Sequence, residues 1–224
     1  MTTEVREILN ASVVLLGADV LSNESEAVAF CNEWEAVHER TMAISETSAS
    51  PARRFVVPSS RLELTVGEDG RTQAKVDYPS SREGAVEKVC DLVQSAQSLT
   101  QAPVSATSYG CNVALTYEQT SGLPAFQYLG RALFPSVDDS RNLDEVVGGS
   151  SKITFRCADG RDLAVVLEPR RNDQGTTRVF LSANYHIEEG SEPLAIEAMR
   201  TAMEDMWTHV DAVIGWLDHR GNVA

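Results

Sequence analysis

The chain has 224 residues, 42% of them apolar, and carries 19 Lys and Arg against 33 Asp and Glu, a formal charge of −14. This composition excludes a disordered chain and leaves length enough to bury a core in one large or two small domains. The acidic balance argues against nonspecific binding to DNA or RNA, which is driven by clustered Lys and Arg, and the acids are scattered as a solubilising surface is.

No apolar run reaches the roughly 20 residues of a membrane helix, and Ala11 to Val20 is broken by Asp19. Glu4, Arg6 and Glu7 do not make the basic-then-apolar pattern of a secretory signal. Cys31, Cys90, Cys111 and Cys157 lie far apart with no CxxC pair, so they read as reduced thiols in a cytoplasmic protein.

The first strand is expected over Ala11 to Gly17 and a helix over about Glu24 to Glu39. Ser45 to Pro58, with its small polar residues and two prolines, reads as a loop that takes in the basic pair Arg53–Arg54. From Arg61 to Val66, Leu62, Leu64 and Val66 alternate with Arg61, Glu63 and Thr65, the period of a half-buried strand. Gly67 to Gly70 turns the chain into a second alternating strand, Arg71 to Tyr78, completing a hairpin. Ser80 to Glu83 matches a capping box. Behind it, Ala85, Val86, Val89, Leu92, Val93, Ala96 and Leu99 share one helical face, and Pro103 follows the helix end.

The second half runs in similar order. Ser105 to Glu118 is a strand, Gly122 to Phe134 a short amphipathic helix, and Val137 to Ser151 a loop with the glycine pair Gly148–Gly149. Lys152 to Cys157 and Asp162 to Glu168 form a hairpin about Ala158-Asp-Gly160, and Arg178 to Ile187 adds a strand after a loop over 169–177. Ser191 is the expected cap of the last helix, with Pro193 in its first turn. Leu194, Ile196, Met199, Met203, Met206, Trp207, Val210, Val213, Ile214 and Leu217 form its apolar face.

Both halves therefore read strand, helix, hairpin, long helix, with an extra strand in the second. The turns Glu68-Asp-Gly70-Arg71 and Ala158-Asp-Gly160-Arg161 are taken as equivalent signs of an internal duplication. One-sided hairpins need a cover, which the long helices offer. The expected fold is α+β, an antiparallel sheet covered on one face by helices. Its halves are 1–103 and 104–224, joined near Ala102 to Ala106, either as one continuous sheet or as two lobes.

The phosphate-loop, dinucleotide, nucleophile-elbow and HExxH signatures are absent. Glu35 and His38, and Asp205 and His209, share helical faces, but two ligands make no metal site and these read as solvated surface. Cys111 and Cys157 fall on apolar strand faces with no local base. The last strand sets Arg178, Phe180, Ser182, Asn184, His186 and Glu188 on one face, against Val179, Leu181, Ala183, Tyr185 and Ile187 on the other.

The candidate ligand- or partner-binding residues are Asn112, Arg178, Asn184, His186 and Glu188. No catalytic residue, cofactor or metal is expected. The expected function is a non-catalytic cytoplasmic protein-binding or assembly module, meeting a protein partner or a second copy through an open sheet face or edge. No nucleic acid or membrane is expected as partner. Two alternatives stand beside it: a small-ligand binder with a pocket between sheet and helix lined by Met199, Met203, Met206 and Trp207, and an enzyme whose site is assembled from distant residues.

Overall fold

Alternation of apolar and polar residues along the strands decides the architecture. The computed structural model describes residues 5–37, 42–46, 52–101, 104–133, 150–170, 177–188 and 193–222. In chain order these form β1 (Val5–Leu16), α1 (Glu24–Val37), β2 (Met42–Glu46), β3 (Ala52–Val57), β4 (Leu62–Gly67), β5 (Thr72–Asp77) and α2 (Arg82–Leu99). The second half supplies β6 (Ser108–Glu118), α3 (Ala125–Leu133), β7 (Ser151–Arg156), β8 (Asp162–Pro169), β9 (Arg178–Glu188) and α4 (Ile196–Asn222). The strands make one nine-stranded sheet in the order β2-β3-β4-β5-β1-β6-β9-β8-β7. Every neighbouring pair is antiparallel.

One set of alternate residues is buried beneath the helices: Val13 and Leu15 of β1, Leu64 of β4, Val76 of β5, Leu115 of β6, Val165 of β8 and Leu181 of β9. The expected apolar face of α2 is buried from Ala85 to Ala96. On α4 the methionines Met199, Met203 and Met206 are wholly enclosed with Val210 and Leu217. Phe30 of α1 meets Phe55 of β3 edge-to-face, with ring centroids 5.1 Å apart. The sheet runs unbroken through both halves, because β1 pairs with β6 over ten register positions.

Five local readings are corrected. The segment read as a loop before Pro58 contains β3, and Arg53 and Arg54 lie in it. Phe55 and Val57 turn inward there, an alternation too short to stand out between the arginine pair and Pro58. The cap of α2 is Ser81, whose Oγ accepts the Gly84 amide at 3.0 Å, so the capping box starting at Ser80 is one residue out of phase. Pro193 is not in the first turn of α4; it forms an isolated bridge with Ser105, and Ser191 lies outside the described residues. Among the described residues the extra strand belongs to the first half, not the second. The two turns are also not equivalent. The first joins β4 to β5, the strand just before the long helix, whereas the second joins β7 to β8, one strand earlier.

The far end of α4 is fixed by α3. The Tyr128 hydroxyl donates to Asp218 Oδ1 at 2.7 Å. The Tyr128 ring lies so close to Gly221 that an added Cβ would sit 2.5 Å from Cε2, which reserves that position for glycine. Burial pushes the Asp218 carboxyl up, against the downward pull of its bond from Tyr128. A carboxyl raised in the folded chain contributes most to stability in acid, and that contribution is lost as pH rises through the folded value. Asp218→Asn keeps an acceptor without the charge, so its urea midpoint relative to wild type is expected to climb as pH goes from about 4 to about 7. Tyr128→Phe is expected to lower stability at neutral pH by about 1–3 kcal/mol, because the buried carboxylate loses its donor.

Candidate functional site

The face away from the helices carries the polar row expected on β9. Register places Asn184 of β9 opposite Asn112 of β6, and Asn112 opposite Ser12 of β1. Asn184 Nδ2 donates to Asn112 Oδ1 at 2.6 Å, and Asn112 Nδ2 donates to the Gly110 carbonyl at 3.0 Å. A Cβ on Gly110 would come within 2.9 Å of Asn184 Nδ2, so the amide pair lies in space that only glycine leaves. His186, exposed, stands opposite Gly110 on one side and Asp162 on the other. Glu188 faces Ser108, and Arg178 faces Glu118 at the other end of the strand. The structure thus joins Asn112 to Asn184. It does not bring Arg178 and Glu188 together, since ten strand residues separate them by roughly 33 Å.

A second group was hidden from sequence reasoning. The β7–β8 turn places Cys157 and Asp159 beside His209 of α4, and their sulfur, oxygen and nitrogen atoms all lie within 4.8 Å of one another. The turn is braced by backbone bonds, Cys157 N to Arg161 O at 2.8 Å and Gly160 N to Cys157 O at 3.0 Å, with Gly160 at φ +83°. Asp159 Oδ1 accepts the Arg161 amide at 3.0 Å, and Asp159 Oδ2 accepts the Tyr185 hydroxyl. The Tyr185 ring also packs on the His209 ring, with centroids 5.3 Å apart. The hydrogen bond from Tyr185, then that from the Arg161 amide, hold the Asp159 carboxyl below the usual range. Partial burial, then the charges of Asp159 and Asp162, push the Cys157 thiol up. Tyr185 is pushed up to about 12, first by burial and then by its bond to Asp159. The only local trace of this group is Cys157 and Asp159 two apart in a glycine turn; His209 arrives from fifty residues downstream.

Surface clefts complete the picture. Between α2 and α4, the Arg82 guanidinium makes two bonds to the Asp211 carboxylate, at 2.5 and 2.6 Å, and lies 5.1 Å over the Trp207 ring. Near the start of α2, Arg61 and Tyr78 both have left-handed backbone, at φ +55° and +48°, and the Arg61 guanidinium lies over the Tyr78 ring at 5.4 Å. Met199, Met203 and Met206 line none of these clefts, being core, whereas Trp207 of the same expected pocket lines the cleft between α2 and α4. His38 lies outside the described residues, and among these no helix is long and apolar enough to cross a membrane.

No family model matches the chain, and no curated protein matches it.

Gly110→Ala is expected to lower the urea-unfolding free energy by about 1–2 kcal/mol, since the methyl must displace the Asn184 amide. Added to Asn184→Ala, the same substitution is expected to cost clearly less; equal costs in the two backgrounds would locate its effect elsewhere.

Proposed function

We propose that the protein is a non-catalytic assembly module that pairs with a second copy of itself through the sheet face opposite its described helices. The observation carrying this reading is the charge of that face. The chain as a whole is strongly acidic, and α1 exposes Glu24, Glu33 and Glu35 with no Lys or Arg in the helix. The open sheet face instead mixes both signs and pairs many of them internally. Arg54 meets Glu63 at 2.6 Å, Lys75 meets Asp77 at 3.1 Å, and Arg156 meets Asp162 at 2.6 Å. A second copy approaching there avoids most of the repulsion it meets at the helical side.

The middle of the face has small side chains. Register sets Ala114, Ser182 and Val166 side by side on β6, β9 and β8, with Asn112, Asn184 and Ala164 in the adjacent row. Such a floor allows two flat sheets to come within packing distance, roughly 10 Å. The amides of Asn112 and Asn184 both donate and accept, as a self-complementary interface requires. Arg178, His186 and Glu188 border this floor and supply its polar rim. Free Cys31, Cys90, Cys111 and Cys157 fit the cytoplasmic setting that belongs to the same proposal.

Light scattering after size exclusion is expected to give twice the mass of one 24.4 kDa chain. Ser182→Arg, which raises a long cation in the centre of the floor, is expected to return it to one chain with little change in thermal stability. His186→Ala at the rim is expected to weaken the pair without dissolving it. A wild-type monomer at high concentration, or a Ser182→Arg dimer as tight as wild type, overturns the reading; the latter result points to the outer edge of β7.

A further inference from the structure

We propose that Cys157, Asp159 and His209 bind one zinc ion. The three side chains are a thiol, a carboxylate and an imidazole, the donor types that zinc takes in protein sites. Their donor atoms form a triangle no more than 4.8 Å on a side. A tetrahedral zinc ion holds such donors about 3.4–3.6 Å apart, so small side-chain rotations close the triangle around it. None of the three hydrogen-bonds another among the described residues. The bonds that join nucleophile, base and orienting acid in a triad are not formed here, whereas the donor set matches a zinc site.

The surroundings supply the outer shell that a metal site needs. The Tyr185 hydroxyl and the Arg161 amide donate to the two oxygens of Asp159 and fix its plane. The Tyr185 ring against His209 limits the imidazole to a narrow set of orientations. The turn that carries Cys157 and Asp159 is itself rigidly bonded. The Arg161 guanidinium, 3.7 Å from Asp159 Oδ2, opposes the incoming cation and must swing outward, for which its partial exposure leaves room. Asp159 is exposed and Cys157 and His209 are half-buried, so the ion enters from solvent and its fourth position is left to water. Once bound, it ties the hairpin of β7 and β8 to the middle of α4.

The test uses the full chain, freed of metal by chelation and then titrated with zinc against a chromophoric chelator. One equivalent is expected to bind, with a rise in melting temperature. Cobalt in its place is expected to give a sulfur-to-cobalt charge-transfer band. Cys157→Ser is expected to abolish that band and weaken zinc binding at least tenfold, while Cys31→Ser leaves both unchanged. His209→Gln is expected to weaken binding as strongly. Asp159→Asn, at an exposed position, gives the same reading should the helix variant fold poorly. Absence of stoichiometric zinc binding, or a site unmoved by Cys157→Ser and Asp159→Asn, overturns the proposal.

Discussion

The antiparallel bond between β1 and β6 is the joint on which the rest of the structure depends. Each half alone leaves a sheet edge of unpaired amides and carbonyls, and such edges are costly to hide and prone to wrong pairing. Pairing the long first strand of one half with the long first strand of the other places both in the centre of one sheet. The shorter strands β2 and β7 then form the two outer margins. The register irregularities between Val5 and Glu7, and between Ile8 and Asn10, fall in this pair, where bulges increase local twist.

From that joint follows the one-sided cover. With the inward residues of both halves facing the same way, a single apolar surface spans the strands, and the four described helices share the task of covering it. α2 and α4 lie over the two halves and meet each other through Arg82 and Asp211. α3 adds the Tyr128–Asp218 bond at the end of α4. The polar sheet face and the Cys157 cluster are both by-products of this layout. The polar sheet face carries none of the described helices, because all of them lie on the other side, and the Cys157 cluster exists because α4 runs past the β7–β8 turn.

Much of this is legible in the residues. The one-sided alternation of Leu62, Leu64 and Val66, or of Val179 to Ile187, fixes both strand identity and facing. The 3.6-residue spacing from Ala85 to Ala96 announces a covering helix. What escaped depended on weaker or non-local information. β3 buries only Phe55 and Val57, and the arginines before them imitate a loop. Ser80 and Ser81 are chemically identical caps, and only backbone geometry separates them. The similar turns at Gly70 and Gly160 reflect the shared chemistry of tight hairpins, not equivalent positions. The polar row on β9 was readable as a row, but the bond from Asn184 to Asn112 needed the strand order. No periodicity links Cys157 to His209; that contact is created by topology.

The central place of β1 also bears on how the chain acquires its shape in time. The strand can zip onto β5 soon after that hairpin leaves the ribosome, but its opposite flank stays bare until β6 emerges some ninety residues behind it. Closure of that gap is a long-range event, so it governs the speed of folding and the interval in which a nascent molecule is open to a stray strand.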